Sequence, residues 1–187
     1  MPEIRFDFNN MFSLAIGSRH GVTEKEFKGL TPALNKARTH ILSLLKDEET
    51  RIRLGLEWAQ LPYQHKSEIA QIQRLGSGIA KGFQNVIFLG IGGSFLGLKA
   101  AQDALCPPYY NEFSAARKKL PRIFFEGNNL DPDTLETLLK NLDPRKTFVV
   151  VISKSGETIE IKAAFLVVEK WLQKTVGSLF GRQIIAI

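Results

Sequence analysis

From residue 86 onward the sequence alternates short apolar runs of β-formers with longer stretches of helical period, and that rhythm leaves few folds open. The apolar runs are 86–91, Arg122–Phe125, Phe148–Ile152 and Gln183–Ile187. A helix is expected from about Ser94 to Leu105, and another from about Thr158, where Ile161, Ala164, Phe165, Val168 and Leu172 share one stripe. Between them Asp131-Pro132-Asp133 supplies an N-cap, a first-turn proline and an acid for the helix dipole. That helix runs on through Leu135, Leu138 and Leu139. Continuous apolar strands separated by amphipathic helices build a parallel sheet covered on both faces. The expected class is therefore α/β, a doubly wound parallel sheet.

The first part of the chain reads differently. Residues 1–30 are mixed, with short strand pieces expected at Ile4–Phe8 and Phe12–Ile16. From Thr31 the pattern turns helical, with Leu34, Ala37, Ile41, Leu44 and Leu45 on one face and Pro32 suited to the first turn. Ile52 to Leu61 fits both periods. Ile52, Leu54, Leu56 and Trp58 alternate, while Leu54, Trp58 and Leu61 suit a helix. Glu68 to Lys81 reads as helix through Ile69, Ile72, Leu75 and Ile79, with Gly82 as a left-handed stop. The organisation expected is a mainly helical N-terminal extension, 1–80, ahead of the sheet domain, 81–187.

A net charge of +6 raises the question of nucleic acid. The basic residues are scattered, and the densest run, Arg117-Lys118-Lys119, reads as a solvated loop or helix end. No nucleic-acid partner is expected, and the excess charge favours an anionic small substrate. The single cysteine, Cys106, cannot form an intramolecular disulfide, which fits a reducing cytoplasm. It has no histidine nearby in sequence to activate it. No apolar run approaches the roughly eighteen residues of a membrane span. Met1-Pro-Glu-Ile-Arg-Phe-Asp lacks the charge-then-apolar order of a signal peptide. A cytoplasmic protein without a membrane partner is expected.

Two of the apolar strands end in small, hydroxyl-bearing loops. One is Gly90-Ile-Gly-Gly-Ser94, the other Ser153-Lys-Ser-Gly-Glu-Thr158. Loops outside the carboxyl ends of parallel strands are where open α/β sheets bind ligands. A dinucleotide fingerprint fails, because Phe95 stands where the third glycine is needed and Gly97 comes two positions late. Glu126 also lies too far along for the ribose acid, and without Gly-Lys-Ser/Thr there is no P-loop. The second loop instead gathers the hydroxyls of Ser153, Ser155 and Thr158 around a tight-turn glycine, with Lys154 as a cation. A phosphate monoester carries one to two negative charges and several acceptor oxygens, which such a nest matches. One hydroxyl would suffice to cap a helix.

Ser153–Thr158 resembles the sugar-phosphate loop of SIS (sugar isomerase) domains. Leu89-Gly-Ile-Gly-Gly-Ser-Phe-Leu-Gly97 is similar to the companion loop of the glucose-6-phosphate isomerase (phosphoglucose isomerase) family. The helical stretch with Leu61-Pro62 and Ile69–Phe83 is similar to the segment before this loop in bacterial members. Other SIS proteins, such as the isomerase half of glucosamine-6-phosphate synthase, share the serine-glycine-threonine loop. The resemblance implies a flavodoxin-like three-layer α/β/α domain of five parallel strands in an order close to 2-1-3-4-5. This chain supplies four, which leaves 183–187 at an edge expected to recruit another chain or to fray.

The implied activity is the interconversion of glucose 6-phosphate and fructose 6-phosphate, in glycolysis and gluconeogenesis, through an enediol without metal or organic cofactor. The implied phosphate contacts are Ser153, Ser155 and Thr158, with Lys154 through backbone or side chain, and Gly93 and Ser94 facing the sugar. Glu157 stands where the family often has threonine. The family's glutamate base and histidine belong to a later region, and His20, His40 and His65 match no such motif. No catalytic residue is assigned, and the chain reads as the N-terminal portion of an enzyme that dimerises when whole. The alternatives are a non-catalytic SIS-domain sugar-phosphate sensor, another SIS isomerase such as a glucosamine-6-phosphate synthase-type domain, and a nucleotide-binding α/β domain.

Overall fold

The structure, a computed structural model, describes residues 5–187. The chain divides into two units, Met1–His65 and Lys66–Ile187. In the first, a 3-10 turn at Asn9–Met11 leads to α1 (Ser13–Ile16), α2 (Glu24–Gly29), α3 (Thr31–Lys46), α4 (Glu48–Leu54) and a second 3-10 segment, Glu57–Tyr63. A capping box opens α2: Thr23 Oγ1 accepts from Glu26 N–H (3.2 Å), and the Glu26 carboxylate accepts from Thr23 N–H (2.8 Å). Asp47 caps α4 through Thr50 N–H (2.8 Å), and Gly55, at φ 65°, ends it. Arg51 then joins three pieces, donating to Leu45 O (2.8 Å) and to the Glu57 carboxylate (3.0 Å).

Two expectations fail in this unit. Phe12–Ile16 is not a strand. Phe12 makes a single bridge to Val22, and Ser13–Ile16 turns helical, since four or five apolar residues cannot distinguish the two periods. Residues 5–8 are irregular, and Ile4 lies outside the described residues. Phe8, Phe12 and Phe27 spend their apolar surface on one another instead, with ring centroids 5.6–6.0 Å apart.

The second unit begins with α5 (Lys66–Gly82) and continues β1 (Asn85–Leu89), α6 (Gly93–Leu105), α7 (Ser114–Arg117), β2 (Arg122–Glu126), α8 (Pro132–Lys140), β3 (Thr147–Val151), α9 (Ile159–Val176) and β4 (Ile184–Ala186). Its division from the first unit falls before α5, which brings Ile79, with Phe83 behind it, onto the sheet. Gly82 closes α5 without entering the left-handed region, because the chain passes straight into Gln84, whose N–H reaches Lys146 O (2.8 Å).

The sheet is wholly parallel, in the order β2-β1-β3-β4. Strand alternation sorts its side chains between two layers. Ile87, Leu89 and Val149 face α8 and α9, packing on Leu135, Leu139, Ala164, Val168 and Leu172. Val86, Phe148 and Val150 face the other way, toward Ile79 and Phe83. On that same side Phe95 of α6 meets Phe125 edge-on at 5.3 Å. This is the three-layer arrangement that the alternating pattern requires.

A polar row runs across the amino ends of the strands. Arg122 Nε donates to Asn85 Oδ1 (2.9 Å), and Asn85 Nδ2 to Thr147 Oγ1 (3.2 Å). Thr147 Oγ1 in turn donates to Asp143 O (2.8 Å), and Gln183 Nε2 to Thr147 O (2.6 Å). Asn85, Thr147 and Gln183 are buried, so a register slip would strand polar groups in an apolar setting at about 1–3 kcal/mol each. The row therefore locks the pairing Arg122↔Asn85↔Thr147.

The two sheet edges differ. Along β2, Asn111 acts as a surrogate strand, donating to Ile123 O (2.7 Å) and accepting from Ile123 N–H (2.9 Å). Along β4, Ile187 directs both its N–H (to Val151 O, 2.8 Å) and its C=O (from Ser153 N–H, 2.9 Å) at β3. By alternation the Ala186 amide faces the open edge. Ala186→Pro removes that outward donor while sparing the bonds to β3. We expect the chain to self-associate at high concentration, and this variant to scatter as a smaller species. Equal masses for parent and variant would show that β4 is not the adhesive edge.

Candidate functional site

β1 and β3 are neighbours and finish in register, Leu89 opposite Val151. The loops that follow them therefore leave the sheet side by side, about 4.8 Å apart at their roots. From β1 the chain passes to β2 on one side, and β3 lies on the other, so the loops flank the topological switch point. Backbone bonds fix their bases: Ile152 N–H donates to Leu89 O (2.9 Å), and Gly90 N–H to Glu126 O (3.0 Å).

The first loop depends on glycine. A Cβ on Gly90 would stand 2.8 Å from Ser94 O, so only glycine lets the first turn of α6 sit this close to β1. Gly92, at φ 56°, is the N-cap of α6 and offers no side chain to the helix. Gly93 is exposed and Ser94 half-buried at the start of that helix, the two residues that the resemblance implies would face a sugar.

In the second loop the hydroxyls divide their roles. Ser153 Oγ accepts from Gly156 N–H (3.0 Å) and Ser155 Oγ from Glu157 N–H (3.1 Å), which folds the loop into a tight turn with Gly156 at φ 67°. Thr158 occupies the N-cap position of α9, yet its hydroxyl makes no capping bond. The first N–H groups of an eighteen-residue helix are thus left without a side-chain cap beside a free hydroxyl. Lys154 is exposed and enters no ion pair among the described residues.

Glu157, the departure from the family's threonine, is answered locally. Its carboxylate binds Lys162 Nζ at 2.8 Å, and that hydrogen bond and charge hold it below the ordinary glutamate range. The acid turns into solvent and carries its own counter-ion. The partner five residues on was visible in the sequence, but its reach was not.

Glu126 closes β2 next to Gly90. Burial, reinforced by the negative charge of Asp131, pushes its carboxyl above the usual range. A cavity of about 110 Å³ that includes Leu135, Ala164 and Val167 provides the apolar surroundings. A carboxyl raised in the folded state contributes stability that is whole below its unfolded pKa and is lost as pH rises through the folded one. Glu126→Gln is therefore expected to unfold at a higher temperature than the parent near neutral pH. The advantage should vanish below about pH 4.3, the ordinary glutamate value. A pH-independent difference in melting scans would assign the effect to packing.

Among the described residues no group of three or more histidine, cysteine, aspartate or glutamate side chains is placed to hold a metal ion. No helix among them is long and apolar enough to cross a membrane.

Comparison with known proteins bears on this geometry. The family model described as phosphoglucose isomerase matches residues 63–187. Glucose-6-phosphate isomerase of Carboxydothermus hydrogenoformans is 34% identical over 184 residues, covering 97% of this chain and 38% of the relative. That of Clostridium perfringens is 37% identical over 123 residues, covering 65% of this chain and 27% of the relative. The crystal structure of a hypothetical protein from Thermus thermophilus superposes with a TM-score of 0.69 at 29% identity, covering 87% of this chain and 35% of that one. The chain spans well under half the length of these proteins.

Proposed function

This chain belongs to the phosphoglucose isomerase family, and from that premise we propose that it is the phosphate-gripping part of an aldose–ketose isomerase acting on glucose 6-phosphate and fructose 6-phosphate. The observation that carries the reading is the unengaged Thr158 hydroxyl at the uncapped N-terminus of α9. A helix N-terminus with free N–H groups favours an anion, and the adjoining cation Lys154 adds charge of the right sign. Ser153 and Ser155 shape the loop around it, and their hydroxyls still have a proton each to donate. Gly93 and Ser94 lie across the switch point, where the sugar end of the substrate would sit.

Within this division of labour the chain binds and orients, and the proton transfer between two carbons falls to a base outside these loops. None of Gly93, Ser94, Ser153, Lys154, Ser155 or Thr158 is a carboxylate or an imidazole, and Glu157 is tied to Lys162. We expect the 187-residue chain to bind fructose 6-phosphate without turning it over in a coupled assay.

Calorimetric titration tests the binding. Fructose 6-phosphate should give a saturable isotherm, fructose none, and inorganic phosphate should compete. Equal affinity for the phosphorylated and unphosphorylated sugar would overturn the reading.

A further inference from the structure

The amino ends of the strands, opposite the serine loop, hold a cavity of about 760 Å³. Gln84, which precedes β1, Arg122, which opens β2, and Lys146, which precedes β3, all line it. Strands of five residues separate this cavity from the two loops by about 15 Å. Its size falls within the range of small-molecule sites.

The lining is cationic. Lys81, Arg117, Lys119, Arg122 and Lys146 border the cavity, with Glu112 as the acid among them. Among the described residues only Lys146 of the five has a carboxylate within ion-pair reach, Asp143 at 3.8 Å. Gathering like charges around one hollow costs free energy, and nothing in the fold requires all five to meet there. Lys81 lies in the last turn of α5, where a cation suits the helix dipole. Arg122 serves the polar row and Lys146 faces Asp143, but these local roles leave unanswered why all five cations share one hollow.

Three further observations describe how the cationic lining is held. Arg117 donates through Nη1 to Asn111 O (2.8 Å), while its Nε is buried with no acceptor, and buried donors are rarely left so. Lys118 and Lys119 follow one another at φ 48° and 70°, a conformation that non-glycine residues seldom hold, and this strained turn presents Lys119 to the cavity. Arg122 is held by Asn85 at 2.9 Å as part of the buried polar row, so its guanidinium is pre-positioned without being neutralised.

We propose that this cavity is a second anion site, which takes a small molecule bearing two phosphoryl groups. Five cations against Glu112 and the Asp143 that faces Lys146 leave an excess of about three positive charges, near the charge of two phosphoryl groups and beyond that of one. The guanidiniums of Arg117 and Arg122 suit the bidentate geometry of phosphate oxygens, and the lysines supply point charge at the rim. The site is independent of the sugar-phosphate loop and stands or falls separately.

Inorganic pyrophosphate is the probe, titrated into the full chain by calorimetry. With fructose 6-phosphate in excess to occupy the serine loop, saturable one-to-one binding is expected, about tenfold or more tighter than orthophosphate. Lys81→Ala with Lys119→Ala should weaken it by about tenfold or more with the unfolding temperature unchanged, and Lys119→Gln alone should act in the same direction. Thr158→Val, at the other end of the sheet, should leave it as in the parent. No saturable binding to the parent, or affinity lost in Thr158→Val but kept in the lysine variants, would overturn the proposal. So would a single-stranded oligonucleotide that binds here and is not displaced by pyrophosphate, which would make the cavity a nucleic-acid surface.

Discussion

Leu172→Ala is expected to destabilise the second unit by about 2–5 kcal/mol, because it deletes a fully buried side chain from its densest layer. Leu172 is 0% exposed and packs in the cluster of Ile87, Leu89, Val149, Val168 and Leu139 that joins α8 and α9 to the sheet. The cost has two parts, the lost transfer free energy of the removed atoms and the hollow left among neighbours that cannot all close in. Leu166 is the internal control. It lies on the same helix and is 54% exposed, so Leu166→Ala should change stability by about 0.5 kcal/mol or less. Urea unfolding of the two variants checks the contrast. Equal destabilisation would mean that helix propensity, and not the buried stripe, governs α9. The same comparison reports on function indirectly, since α9 begins at Thr158 and carries the loop with it.

That stripe was legible in the sequence for a definite reason. Ile161, Ala164, Val168 and Leu172 recur at three- and four-residue steps within the eighteen-residue helix, long enough for the helical period to exclude any other. The capping of α8 was equally plain: Asp131 accepts from Asp133 N–H at 2.9 Å and Pro132 takes the first turn, as their chemistry dictates. The central strands β1 and β3 were readable because both faces are covered and each is a nearly unbroken apolar run. Short apolar segments such as Phe12–Ile16 were not, since their few residues satisfy either period and packing against Phe27 decides.

What lay beyond the sequence is made by distant residues meeting. The polar row needs Asn85, Arg122, Thr147 and Gln183 in one line, and no local pattern announces that. The cationic cavity likewise collects Lys81 and Arg117 from two helix ends, Lys119 from a loop, and Arg122 and Lys146 from two strand starts. Arg117-Lys118-Lys119 is a helix end followed by a loop, as its composition suggested. The left-handed turn through Lys118 and Lys119 that aims the run is a tertiary outcome. In the loop 153–158 the residue types were evident, whereas the idle Thr158 hydroxyl became visible only in the structure.

That hydroxyl sets the sharpest test of the site. Thr158→Val keeps the branched shape and removes only the oxygen, which caps nothing in the structure. Stability should therefore hold while affinity for fructose 6-phosphate falls by about 1.5–3 kcal/mol, roughly tenfold to a hundredfold, the worth of one hydrogen bond to a charged group. Ser153→Ala is a different case. Its oxygen also accepts the Gly156 N–H at 3.0 Å, so this change loosens the turn by about 0.5–1.5 kcal/mol besides losing a phosphate contact. Combined, the two should bring binding close to the limit of detection, with a melting temperature no lower than that of Ser153→Ala alone. The two readings of Thr158 predict opposite pairs of results. A phosphate ligand loses affinity and keeps stability, whereas a helix cap loses stability and keeps affinity. Calorimetry and thermal unfolding of the single Thr158→Val variant separate them, and the second pair of results would withdraw Thr158 from the site.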